Sequence, residues 1–356
     1  MGARPTRAAN KPCRHDSLLV THLPNVRYLT GFSGSAGCVL LTPRRKYFFT
    51  DFRYEAQAAK EVRGFDIRIV RRGSLDGCCR YVISRKIKTG VIGFDGAHIS
   101  LRDHQLIKKL LKGFTICDAA GEIEKRRLVK SRSELVKLRQ AAKISDAAYT
   151  KLARSKVVGK TEKEIAWMLE SSMRQSGSGP MPFEIIVASG PRSAMPHGAA
   201  TSRVIRSGEL VVVDMGASVD GYCSDATRTF ATGPLPGKLV EIYQIVYAAQ
   251  KLAMDCMAEG TVCLDADRFA REHIAVAGYG AHFGHSLGHG VGLEPHEGPV
   301  LSSLSKDTLS AGMTVTVEPG IYLDRLGGVR IEDTVLVGTR GVQPLTKFPR
   351  ELITLR

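Results

Sequence analysis

The chain has 356 residues, 43% of them hydrophobic, with a mean hydropathy of −0.08, so length alone suggests two domains and a large core. No apolar run approaches the ~20 residues that a membrane-spanning helix needs. The net charge of +16 is concentrated in the first third: residues 1–128 carry 25 Lys and Arg against 11 Asp and Glu, while residues 129–356 carry 26 against 24.

The first fifteen residues, MGARPTRAANKPCRH, are basic and lead into no signal-like apolar stretch, so a disordered tail is expected over 1–15 and a secretory signal is not. Gly2 and Thr6 fit the short N-myristoylation pattern, but a basic tail is the simpler reading. SLLVTHL (17–23) reads as a buried strand and NVRYLTGFSGSAG as a turn-rich segment. CVLLT and KYFFT are strands joined by a turn at PRR. DFRYEAQAAKEV is a helix with Asp51 as N-cap, DIRIV and GVIGFD are strands, and Ser100 to Leu111 is helical. This alternation predicts a small α/β domain.

The pattern then changes. SELVKLRQAAKISDAAYTKLARS (133–155) has apolar residues at helical spacing behind a Ser133-x-x-Val136 cap site. TEKEIAWMLESSMRQSG is a second amphipathic helix, with Thr161 as cap and Glu164 at the capping-box position. Strands FEIIVAS, ELVVVDMGA and CSDATRTFA follow, then helices near 236–257 and 264–276, then TVTVEPGIYL and GVRIEDTVLVG. This half reads as mixed α+β with antiparallel hairpins. Eight cysteines without a CxxC pair indicate free thiols in a reducing cytoplasm. The basic first third could face nucleic acid, but no zinc-finger, RNP or homeodomain signature accompanies it, and nucleic acid is not an expected partner.

Two acids stand in apolar strands. Asp214 closes LVVVD and Asp225 opens the returning strand, with an Asp220-Gly221 turn signal between them. Side-chain alternation in a regular hairpin puts both carboxylates on one face, one rung apart, where their repulsion calls for a cation. Glu318 and Glu332 repeat the pattern in a second hairpin, where Arg330 and Thr334 share a face with Glu332 and Arg330 could orient it. Four such carboxylates would be balanced by two divalent cations. Oxygen-rich ligation favours Mn²⁺ or Fe²⁺, with Co²⁺ or Zn²⁺ as substitutes, and two adjacent ions lower the pKa of a water for hydrolysis.

GHSLGHGVGLEPHEGP (284–299) holds His285, His289 and His296 and also spells G-x-S-x-G around Ser286. A serine hydrolase of that motif needs an acid-bearing loop and then a histidine later in the chain; only His289 and His296 follow, three and ten residues on, too close for that. Gly284, Gly288, Gly290 and Gly292 disfavour a helix that would pair His285 with His289 on zinc. One metal ligand and two polar catalytic residues remain as a reading, beside three hydrogen-bonded loop histidines.

FEIIVASGPRSAMPHG, VVDMGASVDGYCSDATRTF, GHSLGHGVGLEPHEGP, VEPGIYL and GGVRIED occur in this order, and together they resemble the metal-dependent pita-bread peptidases that cleave Xaa-Pro bonds, aminopeptidase P and prolidase. NVRYLTGFSGSAG and FFTDFRYEAQA resemble the N-terminal domain of that family. The resemblance implies an α+β chain with a creatinase-like α/β domain over 16–128 and a pita-bread catalytic domain over 129–356. It implies Asp214, Asp225, His289, Glu318 and Glu332 as ligands of two divalent ions, foremost Mn²⁺, with Asp225 and Glu332 bridging. It further implies His197 as a proton shuttle, His296 on the scissile carbonyl, His285 at the proline-side wall, and Arg330, Thr227 and Thr334 as supports of the ligands. Substrates would be peptides with proline at position two, and the protein a cytoplasmic homodimer. Prolidases of this type carry an arginine shortly after the His-Glu pair to hold a dipeptide carboxylate. Here the run is His296-Glu297-Gly298-Pro299-Val300, which favours an aminopeptidase over a dipeptidase. A methionine aminopeptidase fits the sizeable N-terminal domain less well, and a creatinase-like non-peptidase relative is a further alternative.

Overall fold

The computed structural model describes residues 14–85, 87 and 90–356. Most of the tail expected over 1–15, with Gly2 and Thr6, lies outside the described residues. His15, assigned to that tail, is instead held by Glu122, with Nε2 and Oε2 2.7 Å apart. Chain contacts divide after Arg126, into units Met1–Arg126 and Arg127–Arg356. No helix among the described residues is long and apolar enough to cross a membrane.

The first unit is built on a six-stranded sheet of β1 (Ser17–Val20), β2 (Cys38–Leu41), β3 (Lys46–Asp51), β4 (Asp66–Val70), β5 (Val91–Phe94) and β6 (Thr115–Asp118), in the order β4-β3-β2-β1-β5-β6. Its helices are α1 (Leu23–Thr30), α2 (Glu55–Glu61), α3 (Ser74–Ser84) and α4 (Leu101–Leu110), and α5 (Glu122–Leu128) crosses the boundary in sequence. Alternation along the strands fills two cores. Leu19, Leu40 and Phe49 face Cys79, Val82 and Ile107, whereas Leu18, Val39 and Phe48 face Val26, Phe32 and Ala58. The segment read as turn-rich begins with α1, because Pro24 fits the first helical turn and Gly31, at φ 81°, ends it. Asp51 caps a short 3₁₀ turn, Phe52–Tyr54, that leads into α2. Helix α3 escaped the sequence reading because Gly77 interrupts its pattern; a Cβ there would lie 2.5 Å from Val70.

The second unit opens with α6 (Arg132–Ala153) and α7 (Glu162–Gln175). Ser131, not Ser133, caps α6, since its partner three residues on is Glu134 and the two close a full capping box. Thr161 and Glu164 make the same box on α7, as expected. There follow β7 (Ile186–Ser189), β8 (Leu210–Met215), β9 (Ser218–Val219), β10 (Tyr222–Cys223), β11 (Ala226–Ala231), α8 (Gly237–Cys256) and α9 (Cys263–Val276). The chain ends with β12 (Gly288–Gly290), β13 (Glu297–Leu301), β14 (Thr314–Val317), β15 (Gly320–Leu323), β16 (Gly327–Arg330), β17 (Asp333–Val337) and β18 (Val342–Pro344). The principal sheets are β11-β8-β7 and β13-β12-β14-β17-β18, with β15-β16 paired separately, all antiparallel. Helices α6 and α7 pack on the first through Tyr149, Leu152, Ile165 and Leu169; α8 and α9 pack on the second through Ile242, Val246, Ala266 and Ala270.

The long runs TVTVEPGIYL and GVRIEDTVLVG are each two strands. The breaks fall at Glu318-Pro319 and at Ile331-Glu332, where the chain passes between β15–β16 and the five-stranded sheet. Pro319 has no N–H for a continuous ladder. Both glutamates therefore stand at strand junctions, free to turn toward a common point. Six described cysteines are free, but Cys117 is disulfide-bonded, which corrects the expectation of free thiols at that position.

Candidate metal centre

Five side chains from three hairpins line one cavity of about 380 Å³: Asp214, Asp225, His289, Glu318 and Glu332. Asp214 lies opposite Thr227 in the β8–β11 ladder, and Asp225 lies just before β11. The two acids are thus diagonal neighbours on one face rather than directly opposed. The ladder β9–β10, closed by Asp220 and Gly221 at φ 47° and 79°, continues the β8–β11 register to the turn, as the regular hairpin expected from the sequence requires.

The acids are expensive where they stand. Asp225 is 4% exposed and Glu332 2%. Burial, then the charge of Asp214, pushes the Asp225 carboxyl well above its usual range, and burial, then Asp225, does the same to Glu332. Burial also raises Asp214, against the pull of Arg330. Asp214 Oδ2 accepts from Arg330 Nη2 at 2.7 Å, but its Oδ1 is buried without a hydrogen-bond partner. Asp225, His289 and Glu332 each bring a ligand atom within 4.8 Å of the others. An orphaned carboxylate oxygen among four converging carboxylates and one imidazole fits divalent cations.

The glycines around His289 exist because strands approach closely. A Cβ at Gly288 would lie 2.0 Å from the Thr316 carbonyl oxygen, and one at Gly290 would lie 1.9 Å from that of Gly298. His289 Nδ1 lies 3.1 Å from the Gly290 carbonyl oxygen, which leaves Nε2 3.2 Å from Glu318 Oε1 and 3.8 Å from Asp225 Oδ2. Burial alone would depress this imidazole, but the Glu318 hydrogen bond and the charges of Glu318 and Asp225 raise it to about 9. Burial likewise would raise Glu318, yet His289 holds it below its usual value. Thr316 Oγ1 donates to Glu318 Oε1 at 3.0 Å.

The expected support by Arg330 takes another form. Arg330 does not touch Glu332, because the chain turns at Ile331 and sends the two side chains apart. Its guanidinium pairs with Asp214, and Thr227 Oγ1 links it to Glu332, accepting from Arg330 Nε at 3.0 Å and donating to Glu332 Oε2 at 2.6 Å. The Thr334 hydroxyl donates to the Asp225 carbonyl at 2.8 Å.

The other histidines divide. His285 has Nδ1 2.8 Å from the Ser286 carbonyl oxygen and Nε2 2.9 Å from the Tyr322 hydroxyl. Both ring nitrogens are engaged away from Ser286 Oγ, so no serine–histidine pair forms. Burial lowers the His285 pKa. His296 lies beside His289, ring centroids 4.3 Å apart, and burial and then the His289 charge lower its pKa. His197 is exposed at the cavity wall.

Sequence reasoning missed Tyr322, which joins His285 to Arg330 Nη1 at 3.2 Å. It also missed the buried pair Arg228–Asp333, 2.7 Å apart behind Glu332, and the pinning of Glu297 by Arg127 and Lys130 at 2.5 and 2.7 Å. The acid next to His296 and the charged Arg228 in an apolar strand were the available signals. Glu184, the one other acid lining the cavity among the described residues, carries no sequence signal at all.

Residues 136–339 match the model of metallopeptidase family M24, and residues 8–129 match the creatinase/prolidase N-terminal domain. The chain is 43% identical to an uncharacterized peptidase of Bacillus subtilis, YqhT, across 96% of each chain. It is 38% identical to a Xaa-Pro dipeptidase of Pyrococcus horikoshii, across 95% of this chain and 94% of that one. Among solved structures, a Xaa-Pro dipeptidase from Bacillus anthracis superposes with a TM-score of 0.92 at 41% identity, covering 96% of this chain and 95% of that one. An X-Pro aminopeptidase from Thermotoga maritima superposes at 0.88 with 36% identity, covering 96% and 98%. The α+β architecture expected from the motifs, a creatinase-like N-terminal domain before a pita-bread catalytic domain, is the one these relatives share.

Proposed function

The chain belongs to metallopeptidase family M24, and we propose that it hydrolyses Xaa-Pro peptide bonds at a dinuclear centre held by Asp214, Asp225, His289, Glu318 and Glu332. The observation that carries this reading is the convergence of four carboxylates, buried at Asp225 and Glu332 and half-buried at Asp214 and Glu318, and one imidazole, with Asp214 Oδ1 lacking any donor. Asp214, Asp225, His289, Glu318 and Glu332 would hold the ions between them. Divalent ions at such a site polarise the substrate carbonyl and lower the pKa of the attacking water. Mn²⁺ is the first choice for the oxygen-rich donor set.

The remaining residues act on the substrate. His296, whose pKa burial lowers, offers an N–H to the carbonyl oxygen as it gains negative charge. His197, at the open wall, delivers the proton that the departing proline nitrogen needs, since that nitrogen carries no hydrogen in the peptide. Water adds to the carbonyl carbon, the C–N bond breaks, and the products are the first residue and a chain beginning with proline. His285, held by Tyr322, forms the wall on the proline side. The protein is assigned to the cytoplasm as a homodimer.

Within this activity, an aminopeptidase acting on longer peptides is the preferred reading. Arg330 is the only lysine or arginine lining the cavity among the described residues, and it is committed to Asp214, Thr227 and Tyr322. Val300, placed directly across the ladder from His289, offers no charge for a dipeptide carboxylate. The dipeptidase reading is favoured by the relatives named Xaa-Pro dipeptidase. Rates on Ala-Pro and Ala-Pro-Ala with the Mn²⁺-loaded protein decide between them. The preferred reading predicts a higher kcat/KM on the tripeptide, and a higher value on the dipeptide overturns it.

A further inference from the structure

The first unit contains a separate convergence of ligand types. His22 precedes α1, Asp95 and His98 follow β5, and Glu124 lies on α5. His98 Nε2 stands 3.5 Å from Glu124 Oε1 and 3.9 Å from Asp95 Oδ2, and His22 Nδ1 stands 3.9 Å from Glu124 Oε1. One donor atom from each of the four residues lies within 4.8 Å of all the others. Ligands at ~2.1 Å from a tetrahedral ion are ~3.4 Å apart, so these separations are those of a slightly expanded coordination shell.

A second observation is independent of that spacing. Asp95 is 7% exposed, its Oδ1 accepts from the Ala97 amide at 3.1 Å, and its Oδ2 is buried with no hydrogen-bond partner. An oxygen of Asp95 and one of Glu124 lie within 4.8 Å of each other. Two carboxylates in that position need a cation or a proton between them. Asn25 Nδ2 donates to Glu124 Oε1 at 2.5 Å and fixes its orientation. The imidazoles of His22 and His98 are stacked, centroids 3.6 Å apart and planes 4° from parallel. Modest rotation about their broad χ2 torsions turns both nitrogens toward one point. The His98 side chain is 34% exposed, which leaves a route for an ion.

We propose that His22, Asp95, His98 and Glu124 form a mononuclear site for a divalent cation of the Zn²⁺ type, separate from the catalytic cluster. Two imidazoles and two carboxylates suit zinc in tetrahedral coordination. The ion clips α5 to the segments that follow β1 and β5, which are far apart in sequence. Its role is therefore structural, and the proposal does not depend on the peptidase reading.

Equilibrium dialysis of metal-stripped, full-length protein against Zn²⁺, with zinc counted per chain, tests it. His98→Ala and Asp95→Asn should each bind one zinc fewer than the parent while retaining the parent's Mn²⁺-supported peptidase rate. With Co²⁺ as probe, the parent-minus-His98→Ala spectrum should show the intense visible bands of tetrahedral cobalt. Equal zinc counts in the parent and His98→Ala overturn the proposal and assign the cluster to a proton shared among the four groups. His98, one-third exposed, carries the test if Asp95→Asn does not fold.

Discussion

Asp225→Asn removes one charge from the catalytic cluster while keeping the side chain's shape. The expected result is a protein that is more stable without metal and insensitive to it. Donor atoms of Asp225 and Glu332 lie within 4.8 Å. At that separation and an effective dielectric of ~20, two unit charges interact by roughly 3.5 kcal/mol. Proton uptake caps the repulsion, because both carboxyls are shifted upward, so the net gain should be about 1–3 kcal/mol. For a domain of this size that corresponds to roughly 3–10 °C in Tm. The pH dependence follows from the same shifts. Raised carboxyls favour folding fully below their unfolded values near ~4, and that contribution is lost as pH rises toward their folded values. His289 adds stability below its unfolded value near ~6.5 that is lost as pH rises through about 9. Glu318, shifted down, works oppositely and loses its contribution as pH falls. Chelated wild-type protein should therefore become less stable above pH ~4, and the variant less steeply so. Melts in chelator and in Mn²⁺ read all of this. Wild type should gain about 2.7 kcal/mol at an ion concentration 100 times Kd, and the variant should lose that gain. A variant with a lower Tm in chelator than wild type, or with an undiminished Mn²⁺ gain, would refute the reasoning.

Three further substitutions probe the surroundings. Thr227→Val leaves the Arg330 Nε donor and the Glu332 oxygen without their shared hydroxyl, which should cost about 1–3 kcal/mol in thermal melts. The same change should weaken Mn²⁺ binding by roughly 10–100-fold in a calorimetric titration; less than a twofold change would mean Thr227 does not hold the ligands. Gly290→Ala drives a Cβ to within 1.9 Å of the Gly298 carbonyl and should separate β12 from β13. Loss of folded protein or of nearly all activity is expected, and a Tm within a degree of wild type would contradict that packing. Ser286→Ala should keep kcat within a few-fold of wild type, because neither nitrogen of His285 faces that hydroxyl; loss of several orders of magnitude would restore the serine reading.

Much of the site was legible because buried charge is conspicuous in sequence. An acid after four apolar residues, as at Asp214, or between Ile331 and Asp333, as at Glu332, needs a partner wherever the strand ends up. Local periodicity could not say which partner. Arg330 was assigned to Glu332 by strand alternation, but the break at Ile331 hands it to Asp214, a residue 116 positions away. Tyr322 was invisible for the same reason: its value lies in meeting His285 and Arg330 in three dimensions. Helix α1 was lost to a count of glycines that fall after it, and the cap of α6 was misplaced by two residues because Ser133 and Ser131 look alike until Glu134 selects one.

Metal-dependent cleavage before proline has a direct assay. Protein stripped of metal is presented with Ala-Pro-Ala, with and without added Mn²⁺, and release of free alanine is followed. No release is expected from the stripped protein and full release once Mn²⁺ is restored, with no recovery in Glu318→Ala. Release that survives chelation, or that is absent with every divalent ion tried, would contradict metal-dependent cleavage before proline.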